Sequence, residues 1–147
     1  MIESALIRTA LPGDAPGIAQ LMSGLGFDHS VEEIIRRWSL VSDQNVDPVL
    51  VATRGSLLIG VLALHISLLL FYPQPLARIT TLAVSEDYRR QGIGRLLVEE
   101  AIRLAREARC DTIELTTGLH RKDAHAFYER LGFLHKAIKL ERRLVDP

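Results

Sequence analysis

The segment Arg89-Arg90-Gln91-Gly92-Ile93-Gly94-Arg95 combines two glycines one residue apart with three arginines. Backbone N–H groups at glycines can approach a ligand closely, because no Cβ stands in the way. If a helix begins here, its first N–H groups lack intrahelical partners and carry about half a positive charge, a combination that holds anions. The chemistry on offer is phosphate binding. The plainer alternative is a glycine turn before an amphipathic helix with solvated arginines. A Walker-type loop needs Gly-Lys-Ser/Thr, which is absent. A dinucleotide fingerprint needs Gly or Ala where Leu97 stands and a very short strand-to-helix turn, whereas seven residues follow Val84 before Gly92.

The elements that must position this loop follow an alternating α/β order. Glu3–Thr9 reads as a strand closed by Pro12-Gly13, and Asp14 as the cap of a helix carrying Ile18, Leu21 and Met22. Ser30 and Glu33 have capping-box spacing ahead of a stripe formed by Val31, Ile34, Ile35 and Trp38. Val49–Thr53 and Leu57–Ser67 read as strands joined at Arg54-Gly55-Ser56. An irregular stretch, Leu68–Pro75, precedes a strand over Ala77–Val84. The spacing of Ile93, Leu96, Leu97, Ala101, Leu104 and Ala108 predicts a helix over Gly92–Ala108. Thr112–Thr116 is then a strand, Lys122–Leu131 a helix, and Phe133–Leu144 a final strand or hairpin. No repeat or linker is visible, so residues 1–147 read as one mixed α/β domain.

Composition narrows the partners. The 147 residues are 48% hydrophobic, and 18 basic residues balance 18 acidic ones, which argues against a nucleic-acid binder driven by bulk charge. The apolar run Val61–Phe71 is too short for a membrane helix and holds His65. With no visible secretory signal and a single cysteine, Cys110, the expectation is a soluble, cytoplasmic protein without internal disulfides. Cys110 reads as a small packed residue. His120, His125 and His135 have no convincing metal spacing.

Arg89, Gly92 and Gly94 fit the pattern Arg/Gln-x-x-Gly-x-Gly/Ala of the GNAT acetyltransferases, and the chain resembles that family from about Val49 to Phe133. The resemblance continues through Leu82-Ala83-Val84 and Ala124-His125-Ala126-Phe127-Tyr128-Glu129-Arg130-Leu131-Gly132-Phe133. It implies an α/β (α+β) fold with about four helices and a mixed sheet splayed between its fourth and fifth strands, where acetyl-coenzyme A enters. Leu82, Ala83 and Val84 would pair with pantetheine, and Arg89, Arg90, Gln91, Gly92, Ile93, Gly94 and Arg95 would cradle pyrophosphate. Arg121, Ala124, Phe127 and Tyr128 are assigned to the cofactor by the same likeness.

Within the family, Glu114-Leu115-Thr116-Thr117 and Arg121-Lys122-Asp123-Ala124-His125 look like the aminoalkylphosphonate N-acetyltransferases. Arg121 stands where many members have Asn. The chain departs from that subgroup at Arg78, Thr80 and Thr81, where acidic residues are usual, and at Ile66–Leu70, where histidines are usual. Those departures put a phosphonate substrate and a metal requirement in doubt.

The implied reaction is direct attack of a small-molecule primary amine on the acetyl thioester. Tyr128 would be the general acid, because a phenol stays protonated at neutral pH, although packing beside Phe127 and Phe133 is the plainer role. A backbone N–H near Leu82 or Val84 would meet the oxyanion. His65 is the candidate base, since imidazole titrates in a suitable range. Asp28, His29 and Asp43 lie in early loops, where family members contact acceptors. Trp38 reads as core. Leu68, Leu69, Leu70 and Phe71 offer a homodimer contact. Other readings are a non-catalytic acyl-coenzyme A module, or transfer to a peptide or protein amine.

Overall fold

The longest strand is apolar on both faces and therefore sits inside a sheet. In the computed structural model, which describes residues 4–40, 46–119 and 121–146, β3 (Leu57–Ser67) lies between β2 (Val49–Arg54) and β4 (Leu76–Val84). Adding β1 (Leu6–Thr9) and β5 (Thr112–Glu114) gives five strands in chain order. The first four are antiparallel neighbours, and β5 runs parallel to β4. A parallel neighbour requires a crossover, supplied here by α3 (Ile93–Glu107).

Alternation along the strands sends their side chains to two layers. Val49, Val51 and Val61 form one core with Ile18 and Leu21 of α1 (Ala15–Gly24). Ile34 and Trp38 of α2 (Val31–Leu40) pack against it. Gly60 faces the other way, toward α3, whose Ile93, Leu97, Val98, Ala101 and Ala105 are buried. A Cβ at Gly60 would meet Leu97 Cδ1 at 3.0 Å and the Ala83 carbonyl oxygen at 3.4 Å. Glycine thus lets α3 approach closely and fixes where its N-terminus emerges.

These elements make up one compact unit, Met1–Glu114; a second, Leu115–Pro147, contains α4 (Lys122–Arg130). That helix closes at Gly132 (φ 92°), with Gly132 N–H donating to Glu129 O and Phe133 N–H to Tyr128 O.

Several expectations change. Asp14 does not cap α1 with its side chain: its carboxylate accepts from Leu11 N–H at 2.7 Å and takes both Arg8 Nη atoms at 2.7 and 2.8 Å. Ser30 Oγ does accept from Glu33 N–H at 3.1 Å, but the Glu33 carboxylate turns to His29 and Arg37 instead of closing the box. Ile35 and Leu96 face solvent, and Val98 and Ala105 take places on the buried stripe of α3. No strand forms over 133–144. Leu134, Ile138, Leu140 and Leu144 are exposed, and no ladder satisfies their backbone. Glu3, Asp43 and His120 lie outside the described residues.

Candidate active site

The passage from β4 to α3 brings together Leu82, Ala83 and Val84 with Arg89 to Arg95. A 3-10 turn over Glu86–Tyr88 follows β4, anchored by Ser85 N–H donating to Ile59 O at 2.8 Å. Two left-handed residues then swing the chain into the helix: Arg90 (φ 62°) and Gly92 (φ 80°), the N-cap of α3. Gly92 offers no side chain to cap the helix, and the first i to i−4 bond runs from Leu96 N–H to Gly92 O. The N–H groups of Ile93, Gly94 and Arg95 therefore precede any intrahelical partner. Holding Arg90 left-handed costs on the order of 1 kcal/mol.

The arginines are unequally placed. Arg89 Nε turns back to Val84 O at 3.3 Å, while Arg95 Nε reaches Glu99 at 2.8 Å along the helix surface. An exposed i,i+4 pair is worth little and gives way readily to a phosphate. A fourth arginine, unpredicted by the motif, joins them: Arg54 Nη1 donates to Gln91 Oε1 at 2.9 Å.

Beside the loop, β4 is open. β5 pairs with it only at Leu76–Arg78, so no strand among the described residues pairs with the outer edge of Ile79–Val84. This is the splay expected between the fourth and fifth strands. An exposed strand edge suits an amide-bearing arm, and an uncapped helix start flanked by arginines suits a pyrophosphate. The residues present fit coenzyme A.

His65 lies on β3 directly opposite Arg78 on β4. Its partner is Asp47, which the sequence did not single out: His65 Nδ1 donates to Asp47 Oδ1 at 2.6 Å. An ionised carboxylate only accepts, so the proton sits on Nδ1 and Nε2 is left as the basic nitrogen. Arg78 Nη1 reaches Glu114 Oε1 at 3.2 Å. Along the strand, His65 stands five residues from Gly60, the partner of Val84, a rise of roughly 17 Å.

In the second unit, α4 carries Arg121 at its N-cap, then Ala124, Phe127 and Tyr128. The Tyr128 ring meets Phe127 at 5.0 Å and Phe133 at 5.6 Å, both edge-on. Burial pushes its phenol above the ordinary value, partly offset by the Arg121 charge. His125 Nε2 donates to Gly118 O at 2.9 Å. Burial, with Asp111 nearby, also pushes the Cys110 thiol up, away from nucleophile chemistry. Asp28 accepts from Ser23 Oγ, while His29 joins Glu33 and Arg37 on the exposed side of α2.

Comparison with known proteins identifies the family. Residues 19–133 match the model of the acetyltransferase (GNAT) family. The chain is 32% identical over 93 residues to the aminoalkylphosphonate N-acetyltransferase of Salmonella typhimurium, covering 63% of this chain and 60% of that protein. It is 46% identical over 56 residues to N-alpha-acetyltransferase 30 of Xenopus laevis, covering 38% of this chain and 20% of that one. The match thus spans less than two thirds of either relative. A solved structure from Agrobacterium tumefaciens str. C58 superposes with a TM-score of 0.86 at 30% identity, covering 94% of this chain and 99% of that chain. With the family model matching residues 19–133, the chain belongs to the acetyltransferase (GNAT) family.

Proposed function

We propose that the protein transfers an acetyl group from acetyl-coenzyme A to a primary amine of a small molecule. The observation that carries this reading is the α3 start, left-handed at Gly92 and without a side-chain cap, beside the unpaired edge of β4. Bound acetyl-coenzyme A supplies the thioester whose acyl group the amine takes. The loop from Arg89 to Arg95 holds the anionic end, and Leu82, Ala83 and Val84 offer strand-like hydrogen bonds to the arm. His65 Nε2 accepts the amine proton, and Tyr128 donates its phenolic proton to the leaving sulfur. The strand distance between the loop and His65 suits an extended arm laid along β4. Arg121, Ala124 and Phe127, on or beside α4, are further cofactor-binding candidates by the family likeness.

The similarity to the aminoalkylphosphonate enzyme favours a small-molecule acceptor. A second reading, transfer to a protein or peptide amine, is favoured by the 46% identity to N-alpha-acetyltransferase 30. We place the protein in the cytoplasm, where its lone thiol stays reduced. The exposed run Leu68, Leu69, Leu70 and Phe71 is assigned to a homodimer contact, and a monomer in sedimentation would remove that assignment.

Free-thiol release from acetyl-coenzyme A, measured against amines and short peptides, tests the function. Turnover with a small amine is expected. Turnover with peptides alone would favour the second reading, and coenzyme A binding without turnover on any acceptor would leave a non-catalytic module.

A further inference from the structure

Arg54 ends β2, outside every motif of the family pattern, yet its side chain reaches into the anion-binding loop. Its Nη1 donates to Gln91 Oε1 at 2.9 Å, and its guanidinium carbon lies 5.3 Å from the centre of the Tyr88 ring. Gln91 Nε2 in turn approaches Asp87 O at 3.5 Å. Arg54 Nε is buried and has no hydrogen-bond partner. Leaving a buried N–H unpaired is costly, and here the cost accompanies a guanidinium aimed at Gln91 and laid over Tyr88. Both contacts lie in the segment that must hold its shape, from Tyr88 at the end of the 3-10 turn to Gln91 just before the left-handed Gly92.

We propose that Arg54 is a positioning residue for coenzyme A binding, holding Gln91 and Tyr88 so that the loop is arranged before the pyrophosphate arrives. This rests on the cofactor reading above. Pre-arranging a loop strengthens binding by removing the ordering cost from the binding step. A residue acting this way changes cofactor affinity and leaves the acceptor's KM alone.

The test is calorimetric titration of coenzyme A into the full chain and its R54A, R54K, Q91A and R54A/Q91A variants. R54A is expected to bind roughly tenfold more weakly. R54K should recover only part of the loss, since an ammonium lacks the planar fork that spans amide and ring. The double variant should lose no more than the worse single one, because both changes break one contact. Q91A alters an exposed side chain and removes the acceptor of the same contact, so the cycle separates that contact from any direct part Gln91 takes in the loop. R54K keeps the charge if R54A folds poorly. R54A binding as tightly as wild type, or losses that add fully in the double variant, would overturn the proposal. Wild type that binds no coenzyme A would overturn the cofactor reading and this inference with it; wild-type binding unaffected by R54A would overturn this inference alone.

Discussion

Asp47 faces His65 across the β2–β3 ladder, its carboxylate accepting a 2.6 Å hydrogen bond from His65 Nδ1. Leu64 N–H donates to Pro48 O and Ile66 N–H to Val46 O, bonds that extend the ladder on either side of the pair. The arrangement is an imidazole oriented by a second group, the geometry expected of a general base in nucleophile–base–acid constellations. H65A should lower kcat/KM about a hundredfold. D47N, which leaves the imidazole in place without its fixed tautomer, should cost about tenfold. An H65A enzyme that keeps the wild-type kcat/KM would remove His65 from proton transfer.

Tyr128 yields a prediction at the other end of the pH scale. Its phenol is raised first by burial, so the neutral, proton-donating form persists to higher pH than in free tyrosine, near 10. Any alkaline loss of rate owed to Tyr128 should therefore fall above that value. The same shift means that folding weakens as pH rises past the unfolded phenol's pKa. Y128F should lower kcat about a hundredfold with coenzyme A affinity unchanged by titration. Wild-type kcat in Y128F would assign the ring to packing.

Gly92 separates binding from stability. A Cβ at this position meets nothing within 4 Å, so the obstacle to substitution is its φ of 80°. G92A should cost about 1 kcal/mol in denaturant unfolding. It should weaken coenzyme A more than that loss implies, because the added methyl stands where backbone must approach phosphate. Equal affinity for G92A and wild type would move the pyrophosphate away from this turn.

Asp14 contributes to acid stability in the first unit. The Arg8 hydrogen bond is the largest influence holding its carboxyl below the ordinary range, and Leu11 N–H adds to it. A depressed folded pKa gives stability that is present above about pH 4 and lost as pH falls through the folded value. D14A should cost about 1–2 kcal/mol at neutral pH, with the two proteins converging in more acidic urea titrations. A gap of constant size down to pH 2 would contradict this.

The loop, the long helix and all five strands of the sheet were legible because each is specified by neighbours in sequence: glycine spacing, helical periodicity and strand alternation. Asp47 was not. Near the turn Leu57 pairs with Arg54 and Leu58 with Thr53, a register that would set Asp47 against Leu64; the irregularity between Ala52 and Thr53 shifts it by one. That shift brings Asp47 opposite His65 and onto its face, and nothing local announces it. Arg54 escaped for a related reason, since its partner is 37 residues away. The final strand expected over 133–144 rested on apolar alternation alone. Alternation tells which face a strand would bury, while a strand also needs a neighbour to bond.

The unpaired edge of Ile79–Val84 also bears on how the protein survives without substrate. A bare row of strand donors and acceptors is a template for another chain, and natural sheets blunt such edges with charge or proline. Between Ile79 and Val84 there is neither. Coenzyme A lying there would act as a guard rail against self-association, and mass action would stabilise the loaded form. Stocks stripped of cofactor should cloud on warming sooner than saturated ones, so light scattering of the two preparations would expose the hazard that the ligand normally conceals.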